Sequence, residues 1–220
     1  MRYQFDFGSV FAYWPLLLHG TLLTLGLTAT AIVLGTLIGI AGGFARTARI
    51  PALSQAVGAY VELIRNTPFI VQLFFVFFGL PSLGIKITAV EAALLAMTLN
   101  LGAYAVEIVR AGIESIARGQ IEAGEALGMT RAQVFLHVVI VPALGNVYPS
   151  LVSQFVILML GSSVASQISA QELTFAGNFI QSRNFRSFEV YFVISFVYLA
   201  IAFAMRRLFG AAGRVAFSHR

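Results

Sequence analysis

Apolar residues in this chain come in long unbroken runs rather than in one-sided stripes. No Asp, Glu, Lys or Arg occurs from Phe7 to Ala45, Asn66 to Ile85, Ala92 to Val106, Ala132 to Gln171, or Val190 to Met205. A helix needs about 20 mostly apolar residues to cross a bilayer. The runs predict five spans, roughly Tyr13–Phe44, Leu53–Leu80, Val90–Glu114, Gln133–Leu160 and Glu189–Leu208. Stretches such as "LLLHGTLLTLGLTATAIVLGTLIGIAGG" do not alternate, as the strands of a membrane barrel would. Helices satisfy their own backbone hydrogen bonds in lipid, so the expected class is an all-α integral membrane protein. The first and fourth stretches exceed one crossing, which predicts tilt or irregular turns. Pro142, Gly145 and Pro149 predict a bend or interruption in the fourth. The pairs Gly35/Gly39 and Gly39/Gly43 predict a face that another helix approaches closely.

Composition sharpens this picture. Of the 220 residues, 59% are hydrophobic and 10% charged, against about 25% charged in a soluble domain. The first run is too long for the apolar region of a cleaved signal peptide and ends in the basic "AGGFARTARIP", so it reads as a retained span. Arg46, Arg49, Arg110, Arg118, Arg131, Arg206, Arg207, Arg214 and Arg220 fall on one side of the five spans, and Arg2, Lys86, Arg183 and Arg186 on the other. Basic loops face the cytoplasm, which predicts an outside N-terminus and an inside C-terminus. The net charge of +5 belongs to that bias and implies no nucleic-acid partner. There is no cysteine, and His19, His137 and His219 are scattered, so neither a metal-ligand spacing nor a catalytic constellation is legible. No internal repeat or inverted pair of halves is visible, which argues against a secondary transporter, the rival reading along with a channel.

One polar island, "GQIEAGEALGMTRAQ", lies between the third and fourth spans. Gln120 to Leu127 predicts a two-turn helix, Gly128 its left-handed stop, and Thr130 with Gln133 a capping box that restarts the chain. Glu122 and Glu125 share a face. Spacing alone favours a solvated connector.

The residue types go further. Glu122, Ala123, Gly124 and Gly128 resemble the Glu-Ala-Ala…Gly signature of the permease subunits of bacterial ABC importers. "LIRNTPFIVQLFFVFFGLP" is similar to the Arg-Gly-Thr-Pro…Gln segment of the polar amino acid permeases, with Asn66 in place of glycine and Gln72 as the glutamine. "AYAVEIVRAGIESIARGQIEAGEALGMTRAQVF" resembles the third span and coupling loop of that family, and matching segments run from about Leu16 to Arg207. The resemblance implies one transmembrane permease domain over residues 1–220, with a coupling loop at about 117–131. Gln120, Glu122, Ala123, Gly124, Glu125 and Gly128 would meet an ATPase subunit, and Ala123 and Gly124 would allow close approach. A second permease chain, identical or different, and an extracytoplasmic solute-binding protein would complete the assembly in the bacterial inner membrane. The chain carries no P-loop, so ATP and Mg would be held by the partner and this subunit would be no enzyme. Two departures stand out. "IVPAL" puts Pro142 one place after the proline usual in the family. Leu160 and Gly161 stand where a lysine and an acidic residue are frequent, implying that charge on a substrate is not read there.

Ionisable residues at membrane depth are functional candidates. Glu62 and Arg65 lie one turn apart and could pair or merely anchor an interface. Thr67-Pro68 would free carbonyls that can line a cavity. Glu107 would either hold a substrate ammonium or pair with Arg110. Gln72, Ser153, Gln154, Leu160, Ser162 and Ser163 complete the candidate pathway, although serine and glutamine in spans often only join helices.

Overall fold

A computed structural model describes residues 4–47 and 50–217. Arg2, Arg49, His219 and Arg220, used above, lie outside these residues, as does the side chain of Arg131. In chain order the helices are α1 (Gly8–Phe11), α2 (Trp14–Thr47), α3 (Pro51–Arg65), α4 (Phe69–Ser82), α5 (Ala89–Glu114) and α6 (Arg118–Ala126). There follow a single turn α7 (Arg131–Gln133), a wide π-helical turn (Val134–Val139) and α8 (Ile140–Gly161). A 3-10 stretch (Ser162–Ile168), α9 (Leu173–Asn184) and α10 (Ser187–Ala216) complete the chain.

Among the described residues, four helical stretches are long and apolar enough to cross a bilayer: α2, α5, Val134–Ile168 and α10. A fifth is broken. α3 and α4 meet at 106°, so the expected span Leu53–Leu80 is two helices rather than one. Pro68 causes the break. It has no N–H and is extended at ψ 140°, and the residue before a proline is pushed out of the helical region.

α2 and α5 pack side by side along a small-residue seam. A Cβ on Gly39 would lie 2.3 Å from the Ala105 Cβ, and one on Gly43 2.6 Å from Val109 Cγ1. The close approach predicted from the glycine spacing is therefore real, and its partner is α5. That helix is the centre of the bundle: 61% of its most apolar window is buried, against 28% in α10 and in the span containing α8. The other spans keep large side chains outward, among them Leu37, Phe75, Ile157 and Phe203.

The fourth span is not interrupted at its prolines. α8 continues through Pro142 and Pro149, and the irregularity comes earlier, in the wide turn. A proline ring clashes with the carbonyl four residues back, here that of Val138. Inserting an extra residue in the preceding turn relieves this without ending the helix. At Pro149 the ladder loses one donor and α8 stays straight enough to remain a single element, with Ser153 Oγ donating to the Pro149 carbonyl at 3.0 Å.

α9 is an element that the hydrophobic pattern did not reveal. It is only 12 residues long and packs with α1, α2 and the start of α10 in a separate core of Val10, Leu17, Leu173, Ile180 and Val190.

Candidate functional site

The candidates for the substrate pathway fall into three places. The first is the basic end of the bundle, where α2 and α5 finish. Glu107 is the hub there. Arg110 Nη2 donates to its Oε2 at 2.8 Å, and Nε lies 3.2–3.3 Å from both oxygens. Arg46 from α2 and Arg65 from α3 each approach the carboxylate to 3.9 Å. The pairing of Glu107 with Arg110 is formed. Arg65 pairs with Glu107 across helices rather than with Glu62 one turn away, and its guanidinium stacks 5.4 Å from the Tyr104 ring centroid. Arg46, Glu62, Arg65, Asn66, Tyr104 and Glu107 line a cavity of about 350 Å³. Arg46 entered the sequence argument only as an orientation signal, and its convergence with Arg65 on Glu107 depends on tertiary packing.

The second place is the break between α3 and α4. Thr67 and Gln72 stitch it together. Gln72 Nε2 donates to the carbonyls of Ile64 (2.7 Å) and Thr67 (3.0 Å), while Asn100 Nδ2 of α5 donates to Gln72 Oε1 (2.9 Å). Thr67 Oγ1 donates to the Leu63 carbonyl at 2.8 Å. The carbonyls that Pro68 leaves free are thus capped within the chain rather than presented to a cavity.

The third place lies between α8 and α10. Leu160 and Ser163 line a cavity of about 490 Å³ with Ser195, Tyr198 and Phe203. Ser153 lines a neighbouring groove of about 630 Å³ with Tyr148 and Arg214, and Arg206 borders both. Ser162 is fully buried and donates to the Met159 carbonyl at 2.7 Å, a packing role. Gln154, half-buried on α8, lines neither of these two spaces.

The polar island projects from the basic end as α6, starting two residues earlier than the sequence suggested. Its stop is a complete Schellman arrangement. Gly128 has φ +78°, its N–H donates to the Glu125 carbonyl at 3.0 Å, and the Met129 N–H donates to the Gly124 carbonyl at 3.2 Å. The expected capping box restarts the chain, with Thr130 N–H to Gln133 Oε1 at 2.8 Å. Gln120, Glu122, Ala123, Glu125 and Gly128 are exposed. Gly124 is not. It faces Val134 and Val138 of the following turn, where a Cβ would sit 3.1 Å from Val134 Cγ2. The close approach at Gly124 is made within the chain and corrects the expectation that it serves a partner. Leu127, 83% exposed at the tip of the helix, is a docking candidate the sequence reading passed over. Its signal was an apolar residue directly before the helix stop in an otherwise polar loop.

A second feature went unnoticed: Glu172 and Glu189 are both fully buried at the opposite end of the bundle. Glu189 accepts from the Asp6 N–H at 3.0 Å, and Arg186 lies 3.8 Å away. A lone acid between apolar runs was the available sign.

The model of the binding-protein-dependent transport system inner membrane component matches residues 31–214. This chain belongs to that family. As a permease it is 35% identical over 211 residues to the glutamine transport system permease protein GlnP of Escherichia coli K12, covering 93% of this chain and 96% of the relative. It is 34% identical over 195 residues to the L-cystine transport system permease protein TcyB of Bacillus subtilis, covering 88% and 83%. Among solved structures, a crystal structure of an amino acid ABC transporter with histidines superposes with a TM-score of 0.89 at 34% identity, over 96% of this chain and 99% of that one. The permease is a multi-pass, all-helical membrane protein with the role of an ABC transporter's permease subunit.

Proposed function

We propose that this permease carries a polar amino acid into the bacterial cytoplasm across the inner membrane, by alternating access driven by partner ATPases that hold ATP and Mg. The observation that carries this reading is α6, an exposed nine-residue helix with a rigid stop, standing between the central helix α5 and the wide turn that leads into α8. In this reading the basic end faces the cytoplasm, the N-terminus is outside, and α6 seats in an ATPase through Glu122, Ala123, Glu125 and Leu127. A second permease chain packs around the shared pathway, and a solute-binding protein delivers substrate from outside. The names of the glutamine and cystine relatives support the substrate class. Leu160 in the α8/α10 cavity supports an uncharged side chain on the substrate.

The test is uptake of an amino-acid panel into vesicles holding the permease, candidate ATPases and binding protein. Glu122→Lys should abolish ATP-driven uptake while leaving the amount of folded permease unchanged. Leu160→Lys should change the ranking of charged against neutral substrates. Uptake that persists without ATPase would instead indicate a stand-alone carrier.

A further inference from the structure

Glu172 sits in the joint between the 3-10 stretch and α9, with no solvent exposure. One carboxylate oxygen caps α9, accepting from the Phe175 N–H at 2.9 Å. The other accepts from the Tyr198 hydroxyl at 2.7 Å and from Thr24 Oγ1 at 3.4 Å. Thr24 Oγ1 in turn accepts from the Leu173 N–H at 3.2 Å. Gly20 brings α2 directly onto this joint: a Cβ there would lie 2.9 Å from the Glu172 carbonyl oxygen. Three elements, α2, α9 and α10, therefore meet on one carboxylate. Capping alone does not need a glutamate, because the shorter Ser, Thr, Asp or Asn serves better. What the longer side chain adds is the bond to Tyr198, 26 positions away on α10.

Tyr198 lines the 490 Å³ cavity beside Leu160, Ser163 and Ser195. Its hydroxyl is occupied, by Glu172 on one side and by Thr174 Oγ1 at 2.9 Å on the other. The phenol oxygen of this lining residue is thus engaged on both sides by groups of the α9 joint. We propose that Tyr198 determines the substrate specificity of this cavity and that Glu172 is its positioning residue, engaging the hydroxyl so that Tyr198 adds no free hydrogen-bonding group to a wall already lined by Ser163, Ser195 and Arg206. The proposal rests on the transport reading above. Its consequence is a change of selectivity, not only of rate. A pocket that presents a hydrogen-bonding group discriminates by up to about 10⁴–10⁵, whereas an apolar wall distinguishes by roughly 10–200.

The test uses the full chain with its ATPases and binding protein in vesicles, and the ratio of KM for glutamine to KM for leucine. Glu172→Ala frees the hydroxyl and should shift that ratio about tenfold or more. Glu172→Gln keeps a hydrogen-bonding partner for the Tyr198 hydroxyl, with the amide oxygen on the α9 cap and its NH2 donating to the phenol oxygen, and should keep the wild-type ratio. The double variant Glu172→Ala/Tyr198→Phe has no hydroxyl to release and should return the ratio towards wild type. If Glu172→Ala lowers uptake of both amino acids equally, or the double variant fails to restore the ratio, the specificity role is wrong and Glu172 only holds the fold. Because the chain has no cysteine, Ser195→Cys can be alkylated as a probe of the cavity wall without transport. Its rate should rise in Glu172→Ala and stay unchanged in Glu172→Gln. An unchanged rate in both overturns the positioning claim by itself, whereas wild-type vesicles without ATP-driven uptake overturn the transport reading and the specificity role with it.

Discussion

Glu172 shows how one buried acid sets a pH dependence. Burial pushes its carboxyl above the ordinary glutamate range, and hydrogen bonds from the α9 backbone, Tyr198 and Thr24 pull only part of the way back. Tyr198 is the titratable side chain bonded to it. The folded state therefore holds this proton at pH values where the unfolded chain has released it. Stability contributed by the neutral form is present in full below the unfolded value and falls as pH rises through the folded one. Thermal unfolding of the detergent-solubilised protein should show a declining midpoint as pH rises from the ordinary glutamate range, and Glu172→Gln should flatten that slope. A slope unchanged by the substitution would assign it to other groups. Little of this residue-scale chemistry was legible in the sequence. Glu107 stands out in the sequence because an acid in an apolar run stands alone, and Arg110 is near it in sequence, but Arg46 and Arg65 reach it from two other helices. Thr67 and Gln72 were found as polar residues near a proline. Their work of capping freed carbonyls depends on the angle between α3 and α4, which spacing does not encode.

At the scale of elements, the pattern of runs predicted well where one physical cause dominated. The charge-free runs became α2, α5 and α10 because lipid leaves an isolated segment no alternative to the helix. Pro68 broke its span because both the proline and the residue before it resist helical geometry. Pro142 and Pro149 did not break theirs: the wide turn precedes Pro142, and α8 runs on through both. α9 escaped notice because a 12-residue helix lacks the length signal. The glycine seam gives a paired prediction. Gly39→Ala places a methyl 2.3 Å from Ala105 Cβ and should destabilise the α2/α5 pair by about 1–3 kcal/mol. Gly26, on the same helix, has nothing within 4 Å, so Gly26→Ala should be neutral or stabilising by up to about 1 kcal/mol. Thermal unfolding of the two variants side by side checks the contrast, and equal effects would mean the seam is not where the helices hold together.

For the whole molecule, charge links the α6 end of α5 to the α3/α4 break. α6 follows α5 after only three residues, Ser115 to Ala117. At the end of α5, Arg110 Nη1 donates to both oxygens of Glu114 at 2.7 Å while its other nitrogens hold Glu107. Glu107 in turn faces Arg65, the last residue of α3 before the break. In the proposed transport cycle a push on α6 would reach the α3/α4 break through one arginine that is bonded on both sides. The central position of α5 makes this route short, because α2, α3, α4 and α8 all pack on it. Arg110→Gln cuts both carboxylate contacts while leaving every exposed residue of α6 in place. ATPase subunits should therefore still co-purify with the variant. Uptake driven by ATP should fall about tenfold, equivalent to a coupling of about 1.4 kcal/mol, within the range usual for linked sites. Loss of co-purification would place Arg110 in folding or docking instead, and unimpaired uptake would show that the push travels through packing rather than through these charges.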